Sequence, residues 1–118
     1  KVIFVEKDIK TFRKLKENLS NLNLTREIEL FNKNCLDFLK VPYFGKKLDI
    51  IFVDPPFRKG LVEEVFFLLK ENNYLKQKTI VYLETEKDLE IDFLVEGQNI
   101  IKEKSLGKKS YRLIENLF

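Results

Sequence analysis

The sequence of 118 residues contains no histidine, and it has a single cysteine, Cys35. Without histidine, this chain cannot form a Ser-His-Asp or Cys-His catalytic group by itself. The usual ligands of a zinc site are missing as well, so we expect no bound metal. A lone cysteine excludes an internal disulfide and fits a reducing compartment, which predicts a cytoplasmic protein.

Glycine is also scarce. Gly45, Gly60, Gly97 and Gly107 lie far apart, so the sequence has no glycine-rich loop that could cradle a phosphate or a cofactor. The first residues, Lys1-Val2-Ile3-Phe4-Val5, already form an apolar, strand-like run. We therefore expect this chain to be the C-terminal part of a larger domain.

No apolar run approaches the roughly 20 residues that a membrane-spanning helix needs, so we expect no membrane association. Hydrophobic residues make up 44% of the chain and aromatic residues 13%, which is enough for a folded core. The length predicts a single, N-terminally truncated domain over residues 1–118. A net charge of +3 is compatible with nucleic acid as a partner without indicating one.

The apolar periodicity predicts strands that alternate with helices. Strands are predicted at 1–6, 27–31, 48–53 and 79–83, and helices at 9–23 (with Asp8 as N-cap), 34–39 and 61–72. Two further strands, 98–105 and 110–117, flank the turn Leu106-Gly107-Lys108-Lys109 and predict an antiparallel hairpin. This order indicates an α/β fold whose sheet is mostly parallel, with an antiparallel C-terminal hairpin.

The apolar run 48–53 ends at the tetrapeptide Asp54-Pro55-Pro56-Phe57. Proline holds φ at about −65° and has no N–H, so the two prolines end the ladder and leave their carbonyls free to accept hydrogen bonds. This set suits a planar base that carries an amine: Asp54 and the Pro55 carbonyl accept its N–H bonds, and Phe57 stacks on its face. The alternative is a plain strand-to-helix turn, with Asp54 as a cap and Phe57 in the core.

Polar residues follow three of the predicted parallel strands, at the ends where α/β sheets bind ligands. These residues are Glu6, Asn34 and Asp54. The two carboxylate oxygens of Glu6 match the cis-diol of a ribose, and Asn34 can both donate to and accept from the edge of an adenine. The alternatives are a solvated strand end for Glu6 and a helix cap for Asn34, and Asn34 could do both.

The segment from Ile50 to Gly60, followed by a helix rich in leucine and glutamate, resembles the 16S ribosomal RNA guanine-N2 methyltransferase family. The resemblance covers essentially the whole chain in order. It extends to the family's ribose-binding strand end (Val5 to Asp8), adenine-side segment (Asn32 to Leu39), fifth strand (Thr79 to Glu84) and closing hairpin (Lys102 to Gly107 with Tyr111 to Leu113).

This resemblance implies a Rossmann-like class I methyltransferase sheet that is incomplete, because the first strand and the glycine-rich loop are missing. The usual strand order of the fold is 3-2-1-4-5-7-6. The missing strand would lie between the strands that end at Glu6 and Asp54, which leaves a ladder edge of each without its partner. We therefore expect this chain alone to be neither a stable nor an active enzyme.

The resemblance also implies that the parent protein transfers a methyl group from S-adenosylmethionine to the exocyclic N2 of a guanine in small-subunit rRNA. The implied catalytic residues are Asp54, Pro55, Pro56 and Phe57. The implied cofactor-binding residues are Glu6, Lys7, Asn34 and Cys35, together with Asp54. Candidates for contacts with RNA phosphates are Arg58, Lys59, Lys108, Lys109 and Arg112.

The implied partner is small-subunit rRNA or the assembling ribosomal subunit, and we expect a monomer when the protein is complete. Two alternatives stay open. The same motif could serve another amine, either adenine N6 or a glutamine side chain in a protein. A truncated, non-catalytic remnant could instead retain a surface that binds RNA or protein, and the missing glycine-rich loop favours that hypothesis.

Overall fold

The computed structural model describes residues 1–54, 59–91 and 98–118, and for Lys59 it describes only the backbone. The predicted site residues Pro55, Pro56, Phe57 and Arg58 therefore lie outside the described residues, as does the Lys59 side chain. The elements are β1 (Val2–Val5), α1 (Ile9–Asn21), β2 (Ile28–Phe31), α2 (Cys35–Leu39), β3 (Ile50–Val53), α3 (Lys59–Glu71), β4 (Ile80–Glu86), β5 (Gln98–Leu106) and β6 (Lys109–Asn116). The predicted alternation of strands and helices is confirmed.

Contacts divide the chain into two compact units, residues 1–41 and 42–118. In the first unit, β1 and β2 pair in parallel, from Val2 opposite Ile28 onwards. Helix α1 begins at the predicted N-cap, Asp8, whose carboxylate accepts hydrogen bonds from the backbone N–H (2.9 Å) and the hydroxyl (2.7 Å) of Thr11. These bonds stabilise the ionised form and lower the pKa of Asp8.

In the second unit, four strands form a sheet in the order β3-β4-β6-β5. Strands β3 and β4 are parallel, whereas β6 is antiparallel to both of its neighbours. Alternate residues of β4 and β6 are buried, and the buried side chains of α3 complete the core of this unit. Those core residues include Val62, Val65, Phe66, Leu69, Val81, Leu83 and Ile114.

Most element boundaries differ from the predictions by one to three residues, and three of these differences have a clear physical reason. Helix α1 ends two residues early, because Asn23 adopts a left-handed backbone conformation (φ 56°) that a helix does not continue. Strand β4 runs on to Glu86, beyond the predicted end at residue 83, because β6 pairs with it over its full length. The hairpin turn consists of Gly107 and Lys108 alone, and the positive φ of Gly107 (58°) suits glycine.

The two strand orders, β1-β2 and β3-β4-β6-β5, reproduce the 3-2 and 4-5-7-6 parts of the order that the family resemblance implied. Among the strands described, β1 pairs along one edge with β2, and β3 pairs along one edge with β4. The predicted class, a mostly parallel α/β sheet that ends in an antiparallel hairpin, is confirmed. The single domain over residues 1–118 stays a prediction.

Candidate functional site

Glu6 lies directly after β1, at the carboxyl end of the β1–β2 pair. Its backbone extends the ladder, because its N–H donates to the Phe31 carbonyl (2.9 Å). Its carboxylate, which is half-buried, accepts one hydrogen bond from the backbone N–H of Asp8 (3.0 Å). A carboxylate has about four acceptor positions, so this bond leaves capacity for further donors such as hydroxyls. The geometry is compatible with the predicted contact to a ribose diol.

Asn32 was not among the predicted site residues, yet it fixes this end of the first unit. Its side-chain amide donates to the backbone carbonyls of Glu6 (2.9 Å) and Lys7 (3.0 Å). Because Asn32 follows β2 at once, the parallel register brings it beside the end of β1. The signal in the sequence was its place after a strand, the same signal that pointed to Asn34.

Asn34 is the N-cap of α2, since its side-chain oxygen accepts from the backbone N–H of Leu36 (2.9 Å). The cap hypothesis for this residue is therefore confirmed, and its contact with an adenine stays a prediction. Cys35 is half-buried at the first position of the same helix, and Lys7 is exposed. Four predicted cofactor residues thus fall in the first unit: Glu6, Lys7, Asn34 and Cys35.

Asp54 is the exposed residue that follows β3 in the second unit. The last ladder pair between β3 and β4 joins Val53 to Leu83, and the next residue of each strand carries a carboxylate. In parallel strands, residues paired in register point to the same face, so Asp54 and Glu84 follow the last pair side by side. Glu84 was not among the predicted site residues.

Lys109, the first residue of β6, brings a positive charge to the same place. Its ammonium donates to a carboxylate oxygen of Glu84 across 2.7 Å. The hydrogen bond and charge of Glu84 raise the pKa of Lys109, with smaller contributions from Tyr111 and Asp54. Three adjacent strands, in the order β3-β4-β6, therefore each contribute one charged group. We call Asp54, Glu84 and Lys109 the Asp54 cluster.

Aromatic rings cross the same face of the sheet beside this cluster. The ring centroids of Phe52 and Tyr82 are 5.6 Å apart, and those of Tyr82 and Tyr111 are 6.4 Å apart. Partial burial raises the pKa of Tyr82 most, followed by the charge of Glu84. These rings give one side of the Asp54 cluster an apolar surface, where charge–charge interactions are less screened than in bulk water.

The environment of Arg112 does not match the exposed position that a contact with an RNA phosphate requires. Its side chain is buried (residue exposure 6%), with Nε donating to Glu103 (2.7 Å) and a terminal nitrogen donating to Thr85 (3.0 Å). The register places Arg112 opposite Leu83, on the face of the sheet that α3 helps to bury. The geometry favours a structural role for Arg112, since the side chain is buried and two of its donors are bonded within the sheet.

Lys108 is exposed in the hairpin turn, and its contact with an RNA phosphate stays a prediction. Among the residues that the structure describes, no group of three or more histidine, cysteine or acidic side chains is arranged to hold a metal ion. Over the same residues, no helix is both long enough and apolar enough to cross a membrane.

The model of the family described as conserved hypothetical protein 95 matches residues 1–115. Ribosomal RNA small subunit methyltransferase D of Haemophilus influenzae is 43% identical over 117 residues, which cover 98% of this chain and 60% of the relative. The Escherichia coli protein of the same name is 32% identical over 111 residues, which cover 94% of this chain and 54% of the relative. The chain thus spans little more than half the length of these relatives.

Solved structures agree with the family match. The crystal structure of HI0767 from Haemophilus influenzae superposes with a TM-score of 0.91 at 43% identity, covering 100% of this chain and 73% of that one. The structure of yhhF from Escherichia coli gives 0.89 at 31% identity, covering 98% and 63%. A Streptococcus mutans protein in complex with SAH, at 14% identity and a TM-score of 0.74, shares the fold. The predicted class I methyltransferase fold is confirmed.

Proposed function

The chain belongs to the conserved hypothetical protein 95 family, and on this premise we propose that the whole protein methylates the exocyclic N2 amine of a guanine in small-subunit rRNA. The position of Asp54, at the carboxyl end of β3 in a class I methyltransferase fold, carries the proposal. The relatives named as small-subunit rRNA methyltransferases support rRNA as the substrate. Since the chain spans 60% of the first of them, the activity is proposed for the whole protein.

The exocyclic amine of guanine is a poor nucleophile, because its lone pair is delocalised into the ring. We assign to Asp54 the role of accepting one of the amine's N–H bonds, and to the Pro55 carbonyl the role of accepting the other. Two acceptors fixed in this way would turn the lone pair out of the ring plane and towards the methyl group. As the N–C bond forms, the amine loses a proton, for which Asp54 is the nearest assigned acceptor. Catalysis is then mainly positioning and electrostatics.

The base has to leave its stacked position before it can reach such a site. In the proposal, Phe57 stacks on the extruded base, and Pro56 holds the backbone in the shape that presents the Pro55 carbonyl. The exposed position of Asp54 agrees with a group that meets a large substrate from solvent.

S-adenosylmethionine, when bound, would supply an electrophilic methyl group on a positively charged sulfur; the bond between them would break as the N–C bond forms, and the sulfur would leave as a neutral thioether. The residues of the first unit fit its adenosine half, because the Glu6 carboxylate keeps acceptor capacity at a strand end. In the proposal Glu6 holds the ribose, while the segment Asn34-Cys35 and the neighbouring Lys7 lie along the adenine side. Asn32 contributes indirectly, since it fixes the backbone of Glu6 and Lys7.

Contacts with RNA phosphates are assigned to Arg58, Lys59 and Lys108. The phosphate contact of Lys109 stays a prediction, and its ammonium is already bonded to Glu84. Each such contact would contribute to the salt dependence of RNA binding. In the proposal the partner is small-subunit rRNA or the assembling subunit, and the protein is a cytoplasmic monomer. The names of the relatives favour RNA over a protein glutamine as the substrate.

One experiment tests the function directly. The whole protein is incubated with deuterated-methyl S-adenosylmethionine and small-subunit rRNA, either naked or in subunits, and the RNA is digested to nucleosides for mass spectrometry. We expect labelled N2-methylguanosine. Labelled N6-methyladenosine would replace the proposal by the adenine alternative, and RNA without any label would overturn it.

A further inference from the structure

The members of the Asp54 cluster differ in hydrogen-bonding character, and their order follows the order of the strands. Asp54 follows β3 and Glu84 lies in β4; when ionised, both side chains can only accept. Lys109 begins β6 and can only donate. Along the edge of the sheet, the sequence of groups is therefore acceptor, acceptor, donor.

We propose that this row recognises the Watson–Crick edge of guanine and so determines which base is methylated. That edge presents, in order, the N2 amine and the N1–H, which are donors, and the O6 carbonyl, which is an acceptor. Asp54 would accept from N2, Glu84 from N1–H, and Lys109 would donate to O6. The inference rests on the proposed function and adds its base specificity.

The other bases do not match this row. With the adenine N6 amine at Asp54, the neighbouring ring atom N1 is an acceptor, and it would face the carboxylate of Glu84. Cytosine has the same defect, because an acceptor, N3, adjoins its N4 amine, and uracil has no amine. Two acceptors in contact repel each other, and neither is hydrogen-bonded. Glu84 thus separates guanine from adenine, which the Asp-Pro-Pro-Phe motif alone does not.

The ion pair between Glu84 and Lys109 holds both side chains where they can contact the base. The Glu84 side chain is only 16% exposed, and its carboxylate accepts a hydrogen bond from the ammonium of Lys109 across 2.7 Å. The Lys109 side chain remains 45% exposed, so incoming groups can reach it. An ammonium carries three N–H donors, so Lys109 can keep its bond to Glu84 and still donate to a base carbonyl.

The β4–β6 register holds this arrangement in place. Lys109 pairs with Glu86 across the ladder, and its side chain reaches back by two residues to Glu84 on the same face. Tyr111 is the residue directly opposite Glu84. The position of Glu84 is therefore set by regular sheet pairing, which is the kind of rigid support that discrimination between bases requires.

The test compares target RNAs in which the methylated guanine is retained or is replaced by 2-aminopurine. 2-Aminopurine keeps the 2-amine but has an acceptor at N1 and no O6. We expect the wild-type whole protein to have a kcat/KM at least about 100-fold higher for guanine, because a site built around a substrate N–H rejects an analogue that lacks it. Equal kcat/KM values for the two RNAs would overturn the inference, and this arm requires no variant to fold.

The Glu84→Gln variant provides the second arm. A glutamine amide can turn to donate to the N1 acceptor of 2-aminopurine. We therefore expect the ratio of kcat/KM for guanine to kcat/KM for 2-aminopurine to fall at least about tenfold. The kcat/KM for 2-aminopurine should itself rise above the wild-type value. The matched control is Glu86→Gln, an exposed glutamate two residues along the same strand, which should leave the preference unchanged. An equal loss on both RNAs would mean that Glu84 is only structural, and would overturn the inference.

The same assays separate the two levels of the argument. If the wild-type protein methylates N2 of guanine but shows no discrimination at N1, the proposed function stands and the inference fails. If it methylates neither RNA, while labelling adenine or protein, the proposed function fails and the inference fails with it.

Discussion

The ammonium of Lys109 lies 2.7 Å from a carboxylate oxygen of Glu84, and this contact ties the first residue of β6 to β4. The two residues are 25 positions apart in sequence. Asp54, which follows β3 on the other side of β4, is close enough to contribute to the raised pKa of Lys109. The contact therefore brings the β5–β6 hairpin close to Asp54, the residue to which the proposed function assigns a catalytic role.

The ion pair makes a prediction about titration. Since the pKa of Lys109 is raised in the folded protein, the contribution of the pair to stability is complete below the ordinary lysine value of 10.5. It is lost as the pH rises through the folded pKa. We expect Glu84→Gln to lower the pKa of Lys109, measured by NMR titration of labelled lysine side chains, and Glu86→Gln to leave it in place. A Lys109 pKa that does not respond to Glu84→Gln would show that the pair does not form in solution.

Glu6→Ala in the whole protein should weaken binding of S-adenosylmethionine more than binding of RNA. Two hydrogen bonds from ribose hydroxyls to a charged group would be lost, at about 1.5–3 kcal/mol each. Calorimetric titration measures the effect, and Glu29→Ala is a control on the neighbouring strand, where the carboxylate pairs with Lys1. An unchanged cofactor affinity in the Glu6 variant would show that Glu6 is a solvated carboxylate at the end of a strand and does not contact the cofactor.

Arg112→Ala should lower the free energy of unfolding by about 1.5–3 kcal/mol, because it removes a buried hydrogen-bonded charge and leaves Thr85 without that donor. Lys108→Ala, in the exposed turn, should change stability by less than about 0.5 kcal/mol. Chemical denaturation distinguishes them. If Arg112→Ala unfolds like the wild type but binds RNA with a smaller salt dependence, the phosphate contact predicted from the sequence is the better account.

The 118-residue chain by itself should bind S-adenosylmethionine weakly or not at all. Its candidate cofactor-binding residues in the first unit contact only the adenosine half of the cofactor in the proposal. Strands β1 and β3 each pair along one edge among the strands described, so alternate amides in both should exchange rapidly with solvent. Cofactor titration and hydrogen exchange on the isolated chain measure these two properties. Micromolar affinity together with uniform protection across β1 and β3 would contradict this expectation.

The local signals in the sequence were sufficient for the elements and for the residues that end strands. Apolar spacing located every helix and strand of the described chain, and Asp8 was recognised as a cap because its side chain bonds within its own turn. Glu6 and Asp54 were found because each follows an apolar run. In both cases the information lies within a few neighbouring residues.

What the sequence did not predict depends on register between distant strands. Glu84 could be linked to the site only through its ion pair with Lys109, which lies 25 residues away in sequence. Arg112 is buried because the pairing of β6 with β4 places it on the same face as Ser110 and Ile114. A one-residue shift would exchange the two faces of β6. No local pattern distinguishes these registers, so an exposed Arg112 was an equally reasonable expectation from sequence alone.

Methyl transfer by the Asp54→Ala variant of the whole protein tests the central claim most directly. Incorporation of labelled methyl into small-subunit rRNA should fall by about 10²–10³ or more, as expected for loss of one preorganised polar group, while cofactor affinity stays largely intact. Asp49→Ala is the matched control, because it removes an exposed carboxylate paired with Lys76 before the start of the same strand, and it should keep its activity. An Asp54→Ala variant within threefold of wild type would contradict the account.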